Sequence, residues 1–350
     1  MKHQLGQLLL IDVPKAGWNP GLERLLQRFQ LAGILFHRLT TATADVCAKC
    51  AQLLDVSPLL AIEDEGGGAL SDLFPALPPL AQLDANGAER VGDLIGRAMA
   101  LLGLNLNLAP TVDLRAGVTT TSAQPPSPPS ATPSAAIAGQ AEAFVGALTR
   151  HRVLACMRHF PGMPRGTQSQ SSSPAPVVDK PMAALWREDL LPYRMLGAKS
   201  GMIQITHAVH KAYDYEFPRP ASLSSSVVTG LLRLKLGYQG VVLVDASAAA
   251  RASNTDLGEA VVRAVIAGCD IVLVPGDEKP LATVVDRIER AVELGTLSRD
   301  RVEEAFGRLR IAKRKLAKPG RAPSERDLAR LRHEFAEFAK QGIAGGNGIA

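Results

Sequence analysis

Five stretches of this chain place ionisable groups directly after short apolar runs. Leu59 to Ile62 is followed by Glu63-Asp64-Glu65-Gly66-Gly67, and Leu106 to Ala109 by Pro110-Thr111-Val112-Asp113. Leu154 to Met157 is followed by Arg158-His159, Met202 to Ile205 by Thr206-His207, and Val241 to Val244 by Asp245. Four apolar residues in a row describe a strand buried on both faces, and the charge comes where that strand leaves the core. Carboxylates and imidazoles are the groups of acid–base and nucleophilic chemistry. Solvent-facing strand ends are often polar for no chemical reason, but that would bring Lys, Ser and Asn as readily as His and Asp.

The elements that must hold these groups follow from the alternation. Leu8 to Ile11, Ile34 to Phe36 and Ile271 to Val274 complete a set of eight candidate strands. Helix-period segments lie between them; Val91, Leu94, Ile95, Ala98 and Leu102 form the clearest buried stripe. Strand alternating with helix predicts a parallel sheet with crossover helices, and eight such strands predict a single α/β barrel of the (β/α)8 type. In that fold, strand ends converge on one catalytic face. We place the barrel at residues 1–318 and a C-terminal helix and flexible tail at 319–350. Residues 116–136 and 167–176 are rich in Ser, Thr, Pro, Ala and Gln and read as long low-complexity loops on that same face.

The chain has 350 residues, a formal net charge of +5 and 46% hydrophobic residues, the composition of a globular protein. No basic stripe with interleaved aromatics is present, which argues against a nucleic-acid partner. No apolar run approaches membrane-spanning length, and Leu8-Leu9-Leu10-Ile11 is too short for a leader, so a cytoplasmic location is expected. Cys47 and Cys50 form a C-x-x-C, but no second pair follows at zinc-like spacing. We read them as two thiols on a helix surface, with no metal and no cofactor. Lys313, Arg314, Lys315 and Lys318 read as the solvated, dipole-matched end of a helix.

In order along the chain, these segments resemble the N-terminal barrel domain of family 3 glycoside hydrolases. Gly33-Ile34-Leu35-Phe36 resembles its "GLILF" strand and Ala61-Ile62-Glu63-Asp64-Glu65-Gly66-Gly67 its "AVDQEGG". Leu104 to Leu114 resembles "GIDLNFAPVLDL", and Arg158-His159-Phe160-Pro161-Gly162 resembles "KHFPGHG". Pro220 to Ser224 resembles "PASLS", Leu236 to Val241 "LGFDGVI", and Ala267 to Asp270 "AGCDM". The most similar branch is the single-domain bacterial β-N-acetylglucosaminidases of peptidoglycan recycling.

The resemblance implies Asp245 as the catalytic nucleophile and Glu63, Asp113, Arg158, His159 and His207 as substrate-binding residues. The implied partner is an N-acetylglucosamine-containing glycan or muropeptide; oligomeric state is not implied. A retaining glycosidase also needs an acid to protonate the departing oxygen. In this branch a histidine in a "DSH" loop has that role. The corresponding Thr167-Gln168-Ser169-Gln170-Ser171-Ser172-Ser173 has no His, Asp or Glu. Asp214 and Glu216 are candidates for a replacement. Other family positions also differ: the "KH" lysine is Arg158, the second histidine of "HFPGHG" is Met163, and the arginine after "EGG" is Gly68. Two readings therefore stand, a hydrolase impaired in its acid step and a non-catalytic barrel that binds a sugar or a protein.

Overall fold

The computed structural model describes residues 2–13, 17–114, 133–164, 175–214, 216–319 and 323–346. Eight parallel strands close into one barrel: β1 Leu9–Val13, β2 Gly33–Phe36, β3 Leu59–Ile62, β4 Leu106–Asn107, β5 Leu154–Phe160, β6 Met202–Ile205, β7 Val241–Asp245 and β8 Ile271–Pro275. They pair in chain order, and β8 closes on β1 with Leu10 opposite Leu273. All eight expected strands are present. Only their ends differ, with β4 stopping short of Pro110, which cannot donate to a ladder.

Each strand divides its side chains between two cores. Leu10, Leu35, Leu59, Ala61, Leu106, Cys156, Met202, Val241, Leu243, Ile271 and Leu273 fill the barrel interior. Their neighbours, among them Ile11, Ile34, Leu60, Ile62, Val242, Val244 and Val272, face the helices. Alternation by two on a closed sheet gives this result directly, and it explains why the strands read as unbroken apolar runs. At Gly33 an added Cβ would lie 1.9 Å from the carbonyl oxygen of Leu59, so β2 approaches β3 too closely for a side chain there.

The helices are set by local signals. Asn19, Asp84, Asp256 and Ser298 each accept a hydrogen bond from a backbone N–H in the first turn of the helix they precede. Helix Ala85–Leu102 buries the expected stripe, Val91, Leu94, Ile95, Ala98 and Leu102. Helix Glu325–Gly346 packs back on the barrel: Phe335 stacks on Phe74 at 4.9 Å, and Arg97 pairs with Glu334.

Three expectations need correction or limits. Helix Pro133–Arg150 starts inside the first low-complexity segment, because Ser134, Ala138 and Ala141 already face the core. The rest of that segment, and all of 167–176 except residues 175 and 176, lie outside the described residues. Cys47 and Cys50 are on the buried face of helix Thr43–Leu53, and burial raises the thiol of Cys50 to about 12 and that of Cys47 further. Lys313 is not a solvated helix end: it is 8% exposed and donates to the Ala32 carbonyl and to Gln7 Oε1, each at 3.0 Å. No helix among the described residues is long and apolar enough to cross a membrane.

Candidate active site

The interior alternation does not stop where the apolar residues do. Two residues beyond Leu10, Leu35, Ala61, Cys156, Met202 and Leu243 come Asp12, His37, Glu63, Arg158, Gln204 and Asp245. These six continue the inward-facing rows into a polar layer at the carboxyl ends of the strands. A cleft of about 690 Å³ opens there, lined by His37, Glu63, Glu65, Thr111 and Arg158 among others.

Asp245 ends β7. Its Oδ1 accepts a hydrogen bond from the Ala248 N–H at 2.9 Å and caps helix Ala246–Ser253. Burial raises its carboxyl above the ordinary aspartate range, while the N–H groups of Ala248 and Ser247 and the nearby Arg251 act in the opposite direction. This chain thus keeps a half-desolvated carboxylate at the top of the barrel axis.

Glu63 follows β3 and is bonded to the Arg158 guanidinium on β5. Burial pushes the Glu63 carboxyl up, but Arg158 outweighs it and holds the group below its ordinary value. Arg158 also lies 3.7 Å from Glu65, and its Nε donates to Thr111 Oγ1 at 3.2 Å. Glu65 in turn accepts from the N–H and hydroxyl of Thr111. Asp64, between the two glutamates, faces inward to the loop and accepts from the Gly66 and Leu70 N–H groups.

His159 Nδ1 lies 2.7 Å from Asp113 Oδ2, and Asp113 Oδ1 accepts from the Met163 N–H at 3.0 Å. Asp113 therefore orients the imidazole and fixes the following turn. His207 is separate from this group: it is 0% exposed, with Nδ1 2.9 Å from Ser222 Oγ. Burial lowers its pKa to about 3, which favours the neutral imidazole. Asp214 follows the short ladder Val209–His210 and is tied by its N–H to the His210 carbonyl; Glu216 is exposed.

Three rim residues escaped the sequence reading: Asp12, His37 and Gln204. His37 Nε2 lies 2.6 Å from Asp12 Oδ1. The hydrogen bond to Asp12 raises the imidazole pKa against the opposing effect of burial, with Asp12 and Glu63 adding electrostatic support. Counting on by two from Leu10, Leu35 and Met202 would have found all three. Asp12 and His37 also follow apolar runs directly, as the five other mouth groups do.

Among the described residues, no cluster of His, Cys, Asp and Glu is arranged to hold a metal ion. The groups present can bind a polyol through charged donors and acceptors, place a carboxylate nucleophile, and hold imidazoles oriented by aspartates.

A family model described as the glycosyl hydrolase family 3 N terminal domain matches residues 1–311. Beta-hexosaminidase LpqI of Mycobacterium bovis (strain BCG / Pasteur 1173P2) is 31% identical over 349 residues, covering 91% of this chain and 84% of that protein. Beta-hexosaminidase A of Pseudoalteromonas piscicida is 28% identical over 348 residues; the match takes in 85% of this chain and only 55% of that protein's length. Among solved structures, a glycoside hydrolase family 3 beta-N-acetylglucosaminidase from Paenibacillus sp. str. FPU-7 superposes with a TM-score of 0.82 at 26% identity, covering 97% of this chain and 68% of that one. M tuberculosis LpqI superposes with a TM-score of 0.73 at 25% identity, covering 89% and 93%.

Proposed function

Since the chain belongs to glycosyl hydrolase family 3, we propose that it hydrolyses β-N-acetylhexosaminides with retention, through Asp245, and that its acid step is impaired. The observation that carries this reading is the position of Asp245: a helix-capping, half-buried carboxylate at the inward end of β7, in the same layer as Arg158 and Glu63. The named relatives are β-hexosaminidases, which supports an N-acetylglucosamine-containing substrate, and we extend this to peptidoglycan-derived glycans and muropeptides.

In this reading the Asp245 carboxylate attacks the anomeric carbon and the bond to the leaving oxygen breaks. Water then cleaves the glycosyl ester and frees Asp245. Glu63, Arg158, His159 and Asp113 hold the sugar. The segment 167–173, where the family resemblance implies a histidine, has no group that can give a proton at neutral pH. A positioned general acid contributes about 10² to 10⁴ in rate, so losing it slows substrates with poor leaving groups most.

A second reading is favoured by the Arg158–Glu63 pair. Two groups that would hold sugar hydroxyls satisfy each other instead, as suits a barrel that binds without turnover.

Turnover of an activated aryl β-N-acetylglucosaminide separates the two. Hydrolysis that disappears in Asp245→Asn supports the nucleophile. No hydrolysis, together with a thermal shift on adding N-acetylglucosamine, supports binding alone. A ligand at 100 times its Kd should stabilise by about 2.7 kcal/mol.

A further inference from the structure

We infer that His37, oriented by Asp12, is the proton donor that remains at this mouth. The assignment rests on the hydrolase reading above and supplies the group that reading lacks.

Four observations carry it. First, Asp12 and His37 occupy adjacent inward rows, on β1 and just past β2, in the layer that contains Asp245. Second, Asp12 Oδ1 lies 2.6 Å from His37 Nε2, an ion-pair distance that favours the protonated imidazole. Third, the His37 side chain is 44% exposed and lines the cleft with Glu63 and Arg158. A donor has to be reachable, and His159, at 15% exposed, is much less so. Fourth, β8 alone separates β7 from β1 in the barrel, so Asp12 stands between the nucleophile strand and His37. The charged groups around His37 are Asp12 from β1, Glu63 past β3 with its partner Arg158 from β5, and Arg38, which is paired with Asp72 at 2.9 Å.

The step balances without any further reagent. Asp245 forms a bond to the anomeric carbon as the glycosidic bond breaks. The imidazolium of His37 gives a proton to the departing oxygen, which leaves as an alcohol. The now neutral imidazole takes a proton from water, the resulting hydroxide equivalent attacks the anomeric carbon, and Asp245 departs as carboxylate. His37 ends protonated, again beside the Asp12 carboxylate.

The test compares the parent protein, His37→Ala, Asp12→Asn and His159→Ala on aryl β-N-acetylglucosaminides with dinitrophenyl and unsubstituted phenyl leaving groups. We expect His37→Ala to lower kcat/KM for the phenyl glycoside by about 10²- to 10⁴-fold and to spare the dinitrophenyl glycoside, which departs without a proton. Asp12→Asn should move the basic limb of the pH profile to lower pH, because the imidazolium loses its carboxylate. An equal loss on both substrates, or a selective loss in His159→Ala and not in His37→Ala, overturns the assignment. If the parent turns over neither substrate, the hydrolase reading itself fails and takes this assignment with it. Retained dinitrophenyl turnover in His37→Ala also shows that the variant folds.

Discussion

The guanidinium of Arg158 on β5 is bonded to the carboxylate of Glu63 at the end of β3. β4 lies between these strands, so the pair spans two strand spacings and ties one side of the barrel mouth together. Glu63 therefore reports on Arg158. In Arg158→Met the carboxylate loses its cation, so its pKa should rise from below the ordinary value. Carboxyl-carbon NMR titration measures this; an unmoved Glu63 would mean that the pair does not persist in solution.

Gly68 stands where the family resemblance implies an arginine. A Cβ there would lie 2.2 Å from the Glu63 carbonyl oxygen, so the backbone of this loop has no room for any side chain. Gly68→Arg should not restore sugar binding. It should cost about 1–3 kcal/mol in urea unfolding, as overpacked sites do. A gain in affinity for N-acetylglucosamine with unchanged stability would contradict this.

Asp245 both ends β7 and caps helix Ala246–Ser253. Asp245→Ala should lose about 1 kcal/mol along with any turnover. Asp245→Asn keeps an acceptor for the Ala248 N–H, so it should lose turnover at nearly parental stability. Paired denaturation and rate measurements check this; equal destabilisation in both variants would mean the cap contributes nothing.

Burial also raises the pKa of Asp245. In the nucleophile role proposed for it Asp245 must be ionised, so the acid limb of kcat/KM should lie above the ordinary aspartate value. The folded state binds this proton more tightly than the unfolded chain does, so ionising Asp245 costs stability as pH rises through that range. A limb at or below pH 3.8, the ordinary aspartate value, would show that the carboxylate is better solvated than the fold indicates.

Lys313 makes the opposite test at the other end of the barrel. Burial lowers its pKa to about 7 from 10.5, although it donates to Ala32 and Gln7. Between those two values the unfolded chain holds the proton and the folded chain does not, so stability should rise with pH in that window. Lys313→Met should flatten that rise when urea midpoints are compared at neutral and alkaline pH. Parallel pH dependences in the two proteins would place the ammonium in contact with water.

Much of this was legible along the chain. Each apolar run becomes a strand because a strand inside a barrel is buried on both faces, so hydrophobic residues mark it without ambiguity. Asp245, Glu63, Arg158 and His159 stood out because charge after such a run has nowhere to go but the mouth. Asp12 and His37 follow the runs Leu8 to Ile11 and Ile34 to Phe36 in the same way, but that they form a pair is decided only where β1 meets β2. Lys313 shows the converse: one of four basic residues at a helix end, it is the one turned under the barrel floor.

The sequence by itself determined the eight strands, the closed alternation that fills the barrel, the family, and the absence of His, Asp and Glu between residues 167 and 173. Those properties depend on residue type and local period. The tertiary structure decided which charges neutralise one another: Arg158 with Glu63, His159 with Asp113, His37 with Asp12. It also decided that His207 and Lys313 are buried. The reason is geometric. Barrel closure brings residues 12, 37, 63, 158 and 245 into one layer across separations of up to hundreds of positions, and no local spacing encodes which of them will touch.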